Sequence, residues 1–452
     1  MSARAVITIW IVAVVACIIA LIVPSNAPAS VEAAASVHDV AIPVDDVNRV
    51  FIRRVDEDTS TVDVHEFVRG PDGWRQVLPF EVRADGFAVR QLVVAAADLR
   101  ATRRWSSEDS IDRDRVGLAA DGDQVTLDWP GGGVRIDLGD RTVAGRGWIR
   151  LGVDGPVFVV DGDLHERALD DDLRNWRSRR LFPSDAEFGR VEVRNGPVEL
   201  ALERTGRIWS MLEPIESRSD PAAVERFLGV LGRIEHDGFV VDDPDDLSRF
   251  GLESPPVTIE ARRADGTVER IMIGGPAGLV GRERFALIEG VPSVLRLDDA
   301  AIAGLLPAVE DLLATTGTGV RRGDVRRLVI GSSDGQIALD RRLDRWRITV
   351  TDGTGTREGD ADPRLVERLL DLLTETRATE VRVQDYPTSL EVATVVLHGF
   401  DGSPMDSVRI ARERNAGRWA LENGDGVLRL HPPTTEIPLR IEDWTVFESQ
   451  DP

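Results

Sequence analysis

Trp74, Trp209 and Trp346 stand at nearly equal steps of 135 and 137 residues, each inside a similar local pattern. A period this long means one domain-sized unit written three times, which sets the architecture before any chemistry is considered and weighs against a single-site enzyme. The pattern divides the chain into an N-terminal apolar segment (1–24), a linker (25–45) and three repeat units (46–185, 186–320 and 321–452).

Each unit opens with short alternating runs that lead into its tryptophan. In the second these are Val191-Glu192-Val193 and Val198 to Leu202 around Asn195-Gly196; in the third, Leu328 to Ile330 and Gln336 to Asp340 around Asp334-Gly335. Period-two alternation across such a turn predicts a hairpin. A helix is expected next. Asp220-Pro221 and Asp362-Pro363 place an N-cap carboxylate before a proline at the first helical position, and Val224, Phe227, Leu228 and Leu231 make one apolar stripe. The first unit keeps the stripe (Val89, Leu92, Val93, Ala96) but not the Asp-Pro start. A Gly-Leu step follows at Gly117 and Gly251, then a hairpin whose return strand ends at Gly139, Gly274 or Ala411, and then two closing strands. The predicted fold class is α+β: an N-terminal transmembrane helix followed by three tandem repeats, each a mainly antiparallel sheet with one packed helix. Trp74, Trp209 and Trp346, with Gly117, Gly251, Gly139 and Gly274, read as structural anchors of the repeat.

From Ala5 to Val23 only Thr8 is polar, and these 19 residues suffice to span a hydrocarbon core about 30 Å thick. Arg4 precedes the span and the next basic residue is Arg49, so the positive-inside rule leaves everything after Pro24 outside the cytoplasm. The expected location is a single pass through the bacterial inner membrane with the bulk of the chain periplasmic. Two alternatives stay open: a signal peptide cleaved near Ala27-Pro28-Ala29 or Ala33-Ala34-Ala35, and a lipoprotein modified at Cys17. Cys17 is the sole cysteine, so the exported part has no disulfide and no thiolate metal site.

The net charge is −23 and all 55 basic residues are arginine. That balance argues against nucleic acid, or anionic lipid, as the main partner. The densest basic stretch outside the repeats' strands is Arg174, Arg177, Arg179 and Arg180 around Trp176; it reads as a solvated linker helix or as a contact for a partner or a lipid headgroup.

Catalytic patterns are scarce. The six histidines, His38, His65, His165, His236, His398 and His431, show no metal-ligand spacing and read as surface or strand residues. Gly317-Thr318-Gly319 and Gly353-Thr354-Gly355 read as turns rather than phosphate loops, and the acidic clusters near Asp163, Asp172 and Asp246 read as turns and helix caps. No catalytic, cofactor or metal residue is assigned.

The second unit carries a more specific likeness. Trp209-Ser210-Met211, Pro214, the Asp220-Pro221 helix, Phe250-Gly251-Leu252, Pro255-Pro256, Ile273-Gly274 and the Phe285 strand together resemble the bacterial family known as domain of unknown function 4340. The likeness is strong from Val191 to Ala314, fair for the first unit and weak for the third, where Ser389-Leu390 replaces Gly-Leu. The resemblance implies a single N-terminal anchor, an exported repeat region and association with ABC transporter components, including gliding-motility systems; it supplies no catalytic residues.

The expected function is therefore a non-enzymatic, membrane-anchored extracytoplasmic accessory or scaffold of an ABC-type transport or motility complex, with permease or ATPase subunits as partners and no cofactor. The alternative is a ligand- or polysaccharide-binding module that uses grooves between repeats, with Trp129, Trp148, Trp176 and Trp419 as candidate platforms. A hydrolase would need two converging carboxylates with perturbed pKa values.

Overall fold

Alternation of apolar and polar residues gives each strand one face for a core and one for water, and the chain builds three antiparallel sheets in tandem this way. The structure, a computed structural model, describes residues 35–444 except 40, 57–60, 106–110, 143, 184–186, 279–280, 344, 384–390 and 415. The expected span at Ala5–Val23 and the Ser389-Leu390 step lie outside the described residues. Among those described, no helix is long and apolar enough to cross a membrane. The chain divides into two compact units, Met1–Ser178 and Arg179–Pro452. The first holds a ten-stranded sheet, in which the two-residue strand Ala35–Ser36 is the extra member, and the second holds two nine-stranded sheets.

The second sheet shows the common plan. From edge to edge its strands are Ser217–Arg218, Ile208–Glu213, Val198–Thr205, Phe188–Asn195, Val257–Arg263, Val268–Pro276, Glu283–Ile288, Ser293–Asp298 and Gly238–Asp242. Val191, Val193, Leu200, Leu202, Ile259 and Ile271 face the core. Glu192, on the other face, takes Arg190 at 2.7 Å and Arg194 at 3.3 Å, and Glu260 takes Arg270 at 2.8 Å. These half-buried pairs let carboxylates sit opposite one another across strands, as Glu192 and Glu260 do, without uncompensated repulsion.

The expected helix covers each core, α1 (Gly86–Ala97), α2 (Pro221–Leu231) and α3 (Pro363–Thr374), and in the second the short helices Asp299–Leu305 and Val309–Leu312 add Leu305 and Leu312 to it. Asp220 accepts from Ala223 N at 3.0 Å, and Asp362 accepts from Arg364 N at 2.9 Å, so both expected caps form. The first unit departs from expectation. Asp85 caps α1 through Phe87 N at 2.8 Å, so only the proline is missing, and Gly86 stands in its place. A Cβ on Gly86 would lie 3.3 Å from the Trp74 ring, so the small residue lets the helix start close to that tryptophan. Val224, Phe227 and Leu231 of α2 are buried, each contributing about 1.5–3 kcal/mol of transfer free energy.

Three strands of the repeated plan were not expected, one of them the edge strand that follows the tryptophan (Val82–Arg83, Ser217–Arg218, Gly355–Asp360). The tryptophans do not merely follow a hairpin; they lie on a third strand (Gly73–Leu78, Ile208–Glu213, Arg345–Asp352). After the helix the chain crosses to the far edge and adds a last strand (Arg100–Trp105, Gly238–Asp242, Glu380–Val383). Arg100–Trp105 carries three arginines, and pairing with Val157–Asp161 rather than local pattern makes it a strand; in this sheet the two-residue Ala35–Ser36 lies outside it.

Gly117 and Gly251 each end a short 3-10 turn in the left-handed region, at φ 72° and 68°. Each turn docks on the glycine of the returning strand. A Cβ on Gly139 would stand 2.3 Å from Val116 O, and one on Gly274 would stand 2.3 Å from Phe250 O. The two repeated glycines of a unit therefore belong to one backbone-to-backbone contact.

Candidate functional site

Within the unit Arg179–Pro452, the second and third sheets meet along a joint built from sequence-distant residues. Ser217 and Arg218 form the short edge strand of the second sheet. The connecting segment runs past them: Ala314 N donates to Arg218 O at 2.9 Å, and Arg218 Nη2 donates to Thr316 O at 3.0 Å. From the third sheet, Arg429 enters the same region with no exposed surface. Its Nε donates to Ala314 O at 2.9 Å, Nη1 to Asp425 Oδ1 at 3.1 Å and Nη2 to Asp425 Oδ2 at 2.6 Å. Ser217 Oγ donates to the same Oδ2 at 2.6 Å. Val381 and Val427 of the third sheet join the second sheet's core, and Ile215 presses on Gly426, where a Cβ would come within 2.7 Å of its Cδ1.

A buried guanidinium is tolerable only when it is paired and hydrogen-bonded, and each of the three nitrogens of Arg429 donates at least one bond. Burial works to raise the pKa of Asp425, but the hydrogen bonds and charge of Arg429, with help from Ser217 and Val427 N, outweigh it and hold the carboxyl below its ordinary 3.8. Arg218 is pushed down from the arginine range, chiefly by burial and then by repulsion from Arg429; Asp406 and Asp425 oppose the shift.

Above the joint lies a cleft of about 470 Å³, lined by Ser210, Glu216, Arg218, Val320, Met405 and Asp406. The Gly317-Thr318-Gly319 segment forms one wall. Thr318 Oγ1 donates to Asp406, and Val320 N donates back to Thr318 Oγ1 at 3.1 Å. Gly319 leaves room for Arg218, whose Cδ would stand 3.0 Å from an added Cβ. The segment is thus a turn, fastened between the sheets. Arg218 Nε is buried and has no hydrogen-bond partner. The cleft can accept a carbonyl or carboxylate oxygen at this guanidinium, while Asp425 and Asp406 are already engaged.

The residues singled out from sequence fall in several places. Trp209 and Trp346 lie in their cores at 5% and 8% exposure, and Trp74 packs half-buried against the first core. The basic stretch is split. Trp176 is buried against Phe67 with ring centres 5.7 Å apart, and Arg177 is buried over Phe80, its Nε donating to Gln76. Those two side chains are part of the first unit's core and not a solvated face. Arg174 pairs with Asp172 at 2.8 Å, Arg180 approaches Glu235 at 3.7 Å, and Arg179 offers its carbonyl to His236 N. Of the candidate platforms, Trp176 is buried, while Trp129, Trp148 and Trp419 are half-buried; Trp148 packs on Trp105 at 4.8 Å and Arg412 lies over Trp419 at 5.2 Å. His65 and His431 are buried but lie in strands, whereas His165 and His236 are buried outside strands, so the surface-or-strand reading fails for those two. Among the described residues no group of three or more His, Cys, Asp or Glu is placed to hold a metal ion.

Sequence reasoning missed Arg218, Asp425 and Arg429. One signal was present: Arg429 interrupts the apolar run Val427-Leu428…Leu430 of the strand Val427–His431, all of it buried. The same pattern in the second sheet, Val294-Leu295-Arg296-Leu297, leaves Arg296 exposed, so the pattern alone does not identify the joint.

Three tandem sheets, each with a helix packed on the core at one face, define a modular repeat protein. The chain belongs to the family described as domain of unknown function DUF4340, whose model matches residues 74–206 and again 209–394, together more than half the chain. Both matches open on a repeat tryptophan, so the family's sequence unit is offset from the sheets and begins at the third strand of each. None of the curated proteins matches the chain. Among solved structures, the crystal structure of the DNA polymerase sliding clamp from Pseudomonas aeruginosa with ligand aligns at 10% identity over 87% of this chain and 93% of that one. Its TM-score of 0.15 gives no ground for an argument about fold or function.

Proposed function

We propose that the protein is a non-enzymatic, membrane-anchored extracytoplasmic scaffold, an accessory subunit of an ABC-type transport or motility complex. The observation that supports this reading is the joint between the second and third sheets. Its buried charges, Arg429 and Asp425, are spent on holding two sheets together, which suits a spacer that presents surfaces to other subunits. The anchor is the apolar run Ala5–Val23, and the transporter association rests on what the family resemblance implies. Affinity purification of tagged full-length protein from native membranes tests it: permease or ATPase subunits should co-purify in stoichiometric amounts. Recovery of the protein alone in mild detergent would count against the reading.

A second reading is a small-ligand or polysaccharide module in the inter-repeat cleft. Arg218 Nε, buried and unpartnered at a cleft of about 470 Å³, favours it. Acidic oligosaccharides should raise the melting temperature of the wild type and not of Arg218→Gln; equal shifts in both would remove this reading.

A further inference from the structure

The second and third sheets share a hairpin of one length and register. Arg204 pairs with Trp209 as Arg341 pairs with Trp346, so Gly206 and Leu343 hold the same place in the turn. Both are left-handed, at φ 63° and 54°. Glycine takes that conformation freely; leucine is strained in it. Leu343 is also 95% exposed, so no packing offsets the strain. The next turn along repeats the contrast. Gly402 N donates to Gly399 O at 3.2 Å as Gly266 N donates to Arg263 O at 3.0 Å, and Asp401 caps Ser403 N as Asp265 caps Thr267 N. Phe400 therefore stands where the second sheet has Ala264, and it is 77% exposed.

Both turns lie at one end of the third sheet. Arg341 N donates to Arg326 O and Arg326 N to His398 O, each at 2.9 Å, so the turns flank the segment of Arg326, about 10 Å apart by strand spacing. Arg326, Arg327, Arg341, Arg342 and Arg345 gather there. Arg327 is 3.6 Å from Asp340, Arg326 lies 3.6 Å over the Phe400 ring, and Asp344 and Asp401 add counter-charge in the sequence.

We propose that this end of the third sheet contacts the surface of a bilayer containing anionic lipid. Leu343 and Phe400 enter the boundary between headgroups and acyl chains, and the arginines meet lipid phosphates, which the guanidinium fork suits. The apolar residues stand on separate turns, 95% and 77% exposed, and a soft interface closes around protruding side chains. The net charge of −23 disfavours an anionic surface for the chain as a whole, so the basic end is the part such a surface would draw toward itself. The inference rests on the membrane-anchored reading for the nearness of a bilayer.

The test uses full-length protein carrying Cys17→Ser and Met405→Cys, labelled beside Phe400 with an environment-sensitive fluorophore and reconstituted into vesicles. Resistance to alkaline extraction reports the anchor separately. In phosphatidylglycerol/phosphatidylcholine vesicles the emission should shift to the blue and be quenched by spin-labelled lipid. The shift should be lost in Leu343→Gly and Phe400→Ala, which copy the second sheet's residues and so preserve the turns, and a thermal melt confirms that they fold. An incorporated protein whose probe stays in water, or a shift equal in wild type and both variants, overturns the proposal. So does protection that arises only in native membranes and disappears when their proteins are digested, which would assign the tip to a protein partner.

Discussion

Ser217 and Asp425 are 208 positions apart, yet Ser217 Oγ donates to Asp425 Oδ2 at 2.6 Å. The hydrogen bond links the edge of the second sheet to the turn that orients Arg429. Asp425→Ala should cost about 3–5 kcal/mol, because it strands a buried guanidinium, whereas Ser217→Ala should cost about 1 kcal/mol. Urea denaturation of the full chain distinguishes them; equal, small effects would show that the joint does not depend on the ion pair.

The same carboxylate sets an acid limit. Its folded pKa lies below 3.8, so its contribution is complete above that value and is lost as pH falls through the depressed one. Melting temperature followed downward from about pH 5 should fall more steeply in wild type than in Asp425→Asn. Parallel curves would rule out a titrating Asp425 as the cause.

His431 acts in a higher window. Burial lowers its pKa from 6.5, so the unfolded chain binds a proton there before the folded chain does. Stability from this group is complete above 6.5 and declines on acidification toward the lowered value. His431→Phe should flatten the stability profile in that window, read by denaturation at pH values on either side.

The paired glycines give a backbone prediction. Gly274→Ala places a methyl 2.3 Å from Phe250 O and should cost about 1–3 kcal/mol. Gly275→Ala, whose Cβ would stand 3.4 Å from the same oxygen, should be far milder. A thermal melt of both variants settles whether the docking contact is as tight as described; similar losses would refute it.

The helix caps were legible in the sequence, because Asp220-Pro221 and Asp362-Pro363 satisfy the first turn with purely local chemistry. The hairpins around Asn195-Gly196 and Asp334-Gly335 were legible for the same reason. The tryptophan strands were overlooked although the signal was present, since Trp346, Ile348 and Val350 alternate with Arg345, Arg347, Thr349 and Thr351. Gly238–Asp242 and Arg100–Trp105 were not legible, because their partners lie over 50 residues later in the chain. The joint needed both kinds of distant information. Arg429 looks anomalous in its strand, but only the fold brings Ser217, Asp425 and Ala314 O around it.

The first strand of the second sheet, Phe188–Asn195, ends at the middle of the finished sheet, between Val198–Thr205 and Val257–Arg263. A chain emerging amino end first from a ribosome thus presents a raw, unpaired strand edge until Val257–Arg263 arrives, with the whole of α2 produced in between. Such an edge is a template for pairing with a neighbouring chain. The period of greatest risk in this protein's life is then the half-made repeat, and it recurs three times in every molecule synthesised.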